Sequence, residues 1–306
     1  MTAFKRKLKL FMDPLREYFE LLKEYNYDLI FLITQFFDYY FNPNSNINKY
    51  NGGSELIKEL KENLEQLNIP IKEIDIDISD FNNWLIEFSE ILDIYRPMKN
   101  VCIEKCLEHY ITYKYLNVTR DDILIDIAAS GSNYADILAD KGIKTYKLDL
   151  SYPVGILGNK IGADAGNTNL PDNFASVLTS HCAYECFMGD ADSRFIKEAA
   201  RILDKNGRFG IVPLYISNCA MNTTSPYCNQ KKFIKDFEAI KLWRRDKYKV
   251  IFSRIYSPKI FFNRIYSALP NNLKGEIFYF KNLSELSKKY PKQSLYCHFM
   301  FYGEKI

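Results

Sequence analysis

Three aspartates follow short apolar runs, with the spacing that binding of an adenosine-containing cofactor requires. Asp126 follows the first three residues of "ILIDIA", Asp149 is the last residue but one of "TYKLDL", and Asp164 stands before a proline turn. A carboxylate in the second position can accept hydrogen bonds from both hydroxyls of a ribose. A carboxylate in the third position can accept one from an adenine amino group. We therefore predict that these residues bind a cofactor at one edge of a sheet.

The turn after Asp126, "AASGSN", narrows the choice of cofactor. No register of this turn gives G-x-G-x-x-G, so it does not predict a backbone cradle for a pyrophosphate. S-adenosylmethionine carries no phosphate, and its binding loop needs small side chains. The sequence "DIAASGS" fits D-x-G-x-G-x-G with Ala128, Ser130 and Ser132 in the glycine positions. We predict S-adenosylmethionine as the cofactor and a left-handed conformation for Gly131, and a nicotinamide enzyme stays open as an alternative.

Alternating strand and helix patterns begin at about residue 101 and predict the sheet that would hold these residues. Apolar runs such as "SVLTSH" and "RFGIVPLY" alternate with helical segments such as "DSRFIKEAARILDKNG". This alternation is typical of an open α/β sheet with parallel strands. Residues 1–100 have apolar residues at helical spacing, with Asp13 and Pro14 as a helix start. We predict a helical lid or substrate region over 1–100 and a cofactor-binding domain over 101–306.

Two longer segments resemble the class I S-adenosylmethionine-dependent methyltransferases, in particular a type 11-like branch. They are "DAGNTNLPDNFASVLTSH" and "FIKEAARILDKNGRFGIVPLY". The resemblance covers about residues 101–215 well and the C-terminal strands loosely. It implies an α/β fold, a Rossmann-like seven-stranded methyltransferase sheet whose last strand, "SLYCHFMFYGEKI", is antiparallel. The cofactor-binding residues that it implies are Asp126, Ala128, Ser130, Gly131, Asp149, Leu150, Asp164, Ala165 and Ser180.

Three residues are candidates for the catalytic base. Methyl transfer is an in-line displacement that depends on positioning, and an oxygen nucleophile also benefits from a general base. His181 follows the strand that ends at the cofactor crevice, and its alternative role is to fix the cofactor loop. Glu185 lies four residues later and could instead cap a turn. His109, with Lys105 on the same helical face, could equally be a packed interface residue.

A basic segment after the fifth strand predicts a cap over the sheet, within an insertion at 216–270. Residues 231–264 contain eleven Lys or Arg residues against three Asp or Glu residues. The segment leaves two partners open, a small anionic acceptor or nucleic acid, besides a plain solvated face. The "SHCAY" sequence replaces the N/D-P-P-Y/F/W motif of amino-methylating family members. We expect O-methylation of a sugar, a glycan precursor or a small metabolite, and keep an RNA methyltransferase and a non-catalytic cofactor-binding partner protein as alternatives.

Composition and cysteine content exclude several other classes. The chain has 306 residues, of which 47% are hydrophobic, and a net charge of +3, which demands no polyanionic partner. The longest apolar stretch, Leu29–Phe37, is far shorter than the roughly 20 residues of a membrane-spanning helix. Seven cysteines without a recognisable secretion signal indicate free thiols in the cytoplasm. A zinc site would require Cys102, Cys106 and His109 to meet another cysteine pair, so we predict no metal.

Overall fold

The computed structural model describes residues 37, 54–224, 238–243 and 252–306. The predicted helix start at Asp13 and Pro14, and all of the apolar stretch before Phe37, lie outside these residues. So do seven of the eleven basic residues of the cap segment, which are Lys231, Lys232, Lys235, Arg244, Arg245, Lys247 and Lys249.

A sheet of eight strands forms the centre of the protein, and eight helices are described around it or beside it. Its strands are β1 Ile71–Ile74, β2 Ile123–Ile127, β3 Lys144–Leu157, β4 Lys160–Gly162, β5 Ala175–His181, β6 Leu203–Val212, β10 Leu273–Phe280 and β11 Phe299–Lys305. Their order in the sheet is β1-β10-β11-β6-β5-β2-β3-β4. The helices are α1 Ser54–Gln66, α2 Ile78–Glu87, α3 Ser89–Tyr95, α4 Cys102–Tyr115, α5 Tyr134–Asp140, α6 Ala191–Ile202, α7 Pro258–Arg264 and α8 Leu283–Lys289.

Both faces of the sheet are buried, which explains the continuous apolar runs of its central strands. In β2, Ile125 packs into a core with α1, α6 and α7, whereas Leu124 packs into a second core with α2, α4 and α8. Leu178 and Val177 divide between the same two cores in β5. Side chains alternate along a strand, so a strand covered on both faces needs apolar residues at nearly every position.

The predicted open α/β sheet with an antiparallel last strand is confirmed, with one strand more than the seven expected. Strand β11 runs antiparallel to both β6 and β10, as the resemblance implied. The eighth strand is β1, which pairs in parallel with β10 through Ile71 and Ile74. The region before residue 101 is therefore not helical throughout. A four-residue strand carries too little periodicity to stand out between two helices.

The order in which strands are added to the sheet reverses at β2, which creates a crevice beyond the strand ends. Strand β2 pairs in parallel with β3 on one side and with β5 on the other. In open α/β sheets, ligands bind beyond the carboxyl ends of the strands at such a switch point. The residues that follow β2, β3 and β5 are therefore placed around one crevice.

A hairpin, rather than a helix, follows the first half of β3. The strand passes Asp149 and turns back, and both of its halves pair with β4. Gly162 lies so close to the backbone of Pro153 that a Cβ atom would overlap it, which explains the glycine. Because no helix covers this edge, Leu150 and Val154 are 77% and 95% exposed.

The insertion after β6 contains a small separate sheet of three strands. These are β7 Met221–Thr224, β8 Ile240–Trp243 and β9 Phe252–Ile255, in the order β8-β7-β9. In the described ranges, each basic residue of the segment has a partner within the protein. Lys241 lies 3.8 Å over the Trp243 ring, Lys259 is 4.0 Å from Glu238, and Arg254 and Arg264 bind Asp192.

No helix among the described residues is long and apolar enough to cross a membrane. The same residues contain no group of three His, Cys, Asp or Glu side chains placed to hold a metal ion.

Candidate functional site

A cavity of about 520 Å³ opens at the carboxyl edge of the sheet, and we call it the edge cavity. Five of the predicted cofactor residues line it, and they come from the loop after β2, from the middle of β3 and from the loop after β4. The lining residues are Ala128, Leu148, Asp149, Leu150, Ala163, Asp164, Ala165, Cys182, Ala183, Cys186, Phe187, Met188, Ala191 and Arg194. Its size and mainly apolar walls with a few carboxylates are typical of a small-molecule site.

The loop after β2 reverses direction at Ala128, not at Gly131. Ala128 has a φ of 56°, whereas Gly131 does not have a positive φ, so the predicted left-handed glycine is wrong. The left-handed residue is placed this early in the loop because the amide of Ala129 donates a hydrogen bond of 3.1 Å to the carbonyl of Leu148. This bond holds the start of the loop against β3. Gly131 and Ser130 lie exposed further along the loop. A side chain would fit at Gly131, because no atom lies within 4 Å of the place where its Cβ would be.

Asp149 is fixed at the mouth of the edge cavity by backbone amides. Its Oδ2 atom accepts a hydrogen bond of 3.2 Å from the amide of Ser130, and its Oδ1 atom accepts one of 2.8 Å from the amide of Ser151. Each carboxylate oxygen has a second lone pair that remains suited to a ligand hydroxyl. The carboxylate therefore links the loop after β2 to the edge cavity.

Asp164 is held by a cation that the sequence did not indicate. Its Oδ2 atom accepts a hydrogen bond from Arg194 at 2.8 Å, and its Oδ1 atom accepts one from the amide of Gly166 at 2.8 Å. Arg194 extends from α6 into the lining of the edge cavity. Hydrogen bonds to Asp164 and to Asp190 raise the pKa of the Arg194 guanidinium. A side chain at Gly166 would overlap Arg194, so the glycine makes this ion pair possible.

Asp126 and Ser180 lie beneath the edge cavity rather than in its lining. Both are 1% exposed. Asp126 accepts hydrogen bonds from Thr179 at 3.0 Å and from Nδ1 of His181 at 3.2 Å. The Ser180 hydroxyl is buried without a hydrogen-bond partner among the described residues. Asp126 therefore joins the ends of β2 and β5 through Thr179 and His181.

The structure brings His109 and His181 together, but neither lines the edge cavity. Their ring centroids are 4.2 Å apart. His181 uses both ring nitrogens internally, on Asp126 and on the Thr112 hydroxyl at 2.8 Å. His109 contacts the Tyr95 hydroxyl at 2.8 Å, and burial holds its pKa well below the usual value. Both rings are therefore engaged within the protein, and the role of either histidine as a catalytic base stays a prediction.

Glu185 lies on a short 3-10 turn, Tyr184–Cys186, beside the edge cavity. It does not line the cavity, although Cys186 does. Its charge adds to the effect of burial in raising the pKa of Cys182 and that of Tyr215, so it lies near both groups.

A polar cluster that the sequence did not predict lies behind Cys182. Lys105 donates to Glu108 at 2.8 Å and to the Cys182 sulfur at 2.7 Å. The Cys182 thiol lies 3.2 Å from Glu108 and 3.3 Å from the Tyr215 hydroxyl. Burial raises the pKa of Glu108, although the Lys105 ammonium opposes this. The i, i+3 spacing of Lys105 and Glu108 was the available signal, but it also occurs on any solvated helix.

The protein is similar to several methyltransferases of known structure. One is a 1,6-didemethyltoxoflavin-N1-methyltransferase from Burkholderia thailandensis, with 11% identity over 77% of this chain and 93% of that chain and a TM-score of 0.40. Another, from Methanosarcina mazei, is described as S-adenosylmethionine-dependent, with 14% identity, 62% and 94% coverage and a TM-score of 0.40. The CcbJ methyltransferase of Streptomyces caelestis gives 10% identity, 65% and 88% coverage and a TM-score of 0.40. No family model matches the chain, and no curated protein sequence is significantly similar to it.

Proposed function

We propose that this protein is an S-adenosylmethionine-dependent methyltransferase. One observation carries the proposal: Ala128 after β2, Asp149 within β3 and Asp164 after β4 line one cavity, in the order along the chain that the sequence predicted. This is the carboxyl edge of the sheet at its switch point, where open α/β folds bind ligands.

The residues around the edge cavity fit this cofactor better than they fit a dinucleotide. Ala128 offers a small side chain where the amino-acid part would pass, and Asp149 offers carboxylate oxygens to the ribose hydroxyls. Leu150, Ala165 and Phe187 form apolar walls for a purine. A pyrophosphate would require a glycine-rich cradle, which the loop does not provide. When bound, S-adenosylmethionine supplies an electrophilic methyl group.

The acceptor in this proposal is an oxygen atom of a small molecule, with sugars and glycan precursors among the options. Nucleic acid is the less favoured acceptor, because two of the four described basic residues of the insertion, Arg254 and Arg264, are held by the buried Asp192. Arg254 is 2% exposed and binds Asp192, so it is not available to a phosphate. A protein that binds the cofactor only to support a partner would share the edge cavity but would show no turnover.

A thermal-shift panel tests the proposed cofactor. S-adenosylmethionine, S-adenosylhomocysteine, NAD and ATP are added at equal concentration to the purified protein. A ligand at about 100 times its Kd stabilises the folded state by about 2.7 kcal/mol, so the first two compounds should raise the melting temperature clearly. A shift with NAD or ATP alone would contradict the proposal. Methyl transfer to a panel of small hydroxyl compounds and to bulk RNA then separates the acceptor classes.

A further inference from the structure

The second half of β3, Val154–Leu157, forms one edge of the central sheet, and we call it the outer strand. Its residues Gly155, Ile156 and Leu157 pair with β4, and the first half of β3 pairs with the opposite side of β4. Strand β4 is therefore enclosed, and Ile161 within it is 1% exposed. Among the described residues, no further strand pairs with the outer strand. The outer strand thus offers its outward N–H and C=O groups to a strand from elsewhere.

Large apolar side chains are concentrated on the outer strand and the turn before it. Eleven such side chains are exposed in the described part of the chain, and four of them lie between positions 150 and 157. They are Leu150, Val154, Ile156 and Leu157, of which Ile156 and Leu157 are 51% and 68% exposed. Single exposed apolar residues are common on protein surfaces, whereas a cluster of them marks an interaction site.

The opposite edge of the same sheet has the protection that the outer strand does not have. In β1, Lys72 and Glu73 are exposed, and Glu73 pairs with Lys61 at 2.6 Å. Charged side chains on an edge strand oppose its pairing with another chain. The ten residues from Leu150 to Asn159 contain no Asp, Glu, Lys or Arg. The outer strand is therefore the edge of this sheet that is open to a further strand.

Gly155 leaves room beside the outer strand for a neighbouring backbone. It has a φ of 100°, and no atom lies within 4 Å of the place where its Cβ would be. Val154 and Gly155 both lie opposite Gly162, so a β-bulge bends the start of the strand. The two residues that follow pair one to one with β4. A glycine within a strand also occurs where a second backbone approaches closely.

The unpaired backbone favours a β-strand as the partner rather than a lipid surface, because hydrocarbon cannot satisfy the N–H and C=O groups of a sheet edge. A second copy of the chain supplies such a strand. Two identical edges that pair antiparallel about a two-fold axis are self-complementary, and this symmetry is the commonest in soluble oligomers. Because residues 150–159 carry no charge, two copies meet there without like-charge repulsion. The segment also has no charge with which to select a different partner.

We propose that two copies of this chain associate through their outer strands, so that the two central sheets form one continuous sheet across a two-fold axis. The exposed apolar side chains of each copy are then covered by those of the other. Because the strand is short and small interfaces bind weakly, the dimer forms at micromolar concentration and exchanges with the monomer. The exposed segment begins at Leu150, which also lines the edge cavity, so the interface lies beside the candidate functional site. The inference goes beyond the proposed function and does not depend on the cofactor.

Sedimentation equilibrium of the full chain, from low to high micromolar concentration, tests this inference. We expect the mean mass of the wild type to rise from that of a monomer towards that of a dimer. Ile156→Lys places a charge in each half of the interface and should weaken association by about tenfold or more. The matched control is Ile306→Lys, because Ile306 is 52% exposed and follows β11, which three strands separate from β3. The control should associate as the wild type does.

Hydrogen–deuterium exchange identifies the strand that pairs. In the wild type, the amides of the outer strand should exchange more slowly as the protein concentration rises, because pairing protects them. In Ile156→Lys, their exchange should not change over the same range of concentration.

Three results would overturn the inference: a wild type that stays monomeric at every concentration, a dimer that forms equally well in Ile156→Lys, or equal weakening by Ile306→Lys. The first would mean that another part of the chain or a different molecule covers the edge. Circular dichroism shows whether Ile156→Lys folds. Val154→Lys, at a position that is 95% exposed, replaces it if it does not, with the same expected loss of association.

Discussion

Replacement of Asp192 by Asn should destabilise the protein strongly, because this buried carboxylate joins the insertion to the wall of the edge cavity. Asp192 is fully buried. Its Oδ2 atom accepts hydrogen bonds from Arg254 at 2.8 Å, Tyr256 at 2.6 Å and Arg264 at 2.7 Å. Arg254 also donates to the carbonyl of Phe187, a residue of the cavity wall. The substitution keeps the shape of the side chain but leaves two arginines without their anion.

The expected loss of stability follows from the burial of both Asp192 and Arg254. Arg254 is 2% exposed, so its charge cannot regain water without local opening. Removal of one partner from a buried ion pair costs about 3–5 kcal/mol. At about 2 °C per kcal/mol for a chain of this size, the melting temperature should fall by roughly 6–10 °C. Because Phe187 loses its anchor, ligand binding in the edge cavity should weaken as well.

Urea denaturation followed by tryptophan fluorescence measures the effect. The chain has two tryptophans, Trp84 on α2 and Trp243 in the insertion, so each region carries one reporter. The matched control is Asp172→Asn, whose side chain is 71% exposed and pairs with Arg201 at 2.6 Å. A surface pair of this kind contributes at most about 1 kcal/mol. If Asp192→Asn cost no more than the control, the buried charge cluster would not exist as described.

Three further predictions concern the loop after β2, the hairpin of β3 and the buried side chain of His298. Ala128→Gly should stabilise the fold by about 0.5–1 kcal/mol in urea denaturation, because glycine adopts the positive φ of this position without strain. Gly131→Ala should not destabilise the fold, and the reverse ranking of the two variants would contradict the loop geometry. Gly162→Ala should lower the melting temperature and weaken cofactor binding, because its Cβ would overlap the backbone of Pro153; an unchanged melting temperature would count against the hairpin. Burial lowers the pKa of His298 to about 4, whereas the unfolded chain has a histidine pKa of about 6.5. Above a pH of about 6.5 the side chain is neutral in both states. As the pH falls from about 6.5 towards 4, the unfolded state binds a proton that the folded state does not, so the folded state loses stability. From pH 8 to pH 5, the free energy of unfolding of the wild type should therefore fall by about 2 kcal/mol more than that of His298→Gln. Equal falls in urea denaturation would show that this histidine is not buried.

The sheet and the position of the cavity were predictable because they depend on patterns of apolar residues. Buried parallel strands require β-branched and aliphatic runs, and β2 and β5 provide them. Asp149 stands at the end of such a run, so its place at the carboxyl edge follows from the strand. Asp164 is predictable for a related reason, since a proline turn follows it before β5.

Other features depend on contacts between distant parts of the chain, and the sequence shows them weakly. The partner of Asp164 is Arg194, thirty residues later, and nothing in a helix sequence marks an arginine that points towards a cavity. His181 lies at the end of β5, as predicted, but Asp126 and Thr112 bind its ring on the inner side. A strand-end position specifies the edge of the sheet and not the direction of the side chain.

Calorimetric titration with S-adenosylmethionine tests the central claim most directly. The proteins are the wild type, Asp149→Asn and the control Asp93→Asn, whose side chain is 66% exposed and away from the edge cavity. Loss of a charged acceptor for ligand hydroxyls costs about 1.5–3 kcal/mol, so Asp149→Asn should weaken binding by roughly tenfold to a hundredfold. The control should bind as the wild type does. Failure of the wild type to bind S-adenosylmethionine, or equal binding by Asp149→Asn, would contradict the proposed cofactor site.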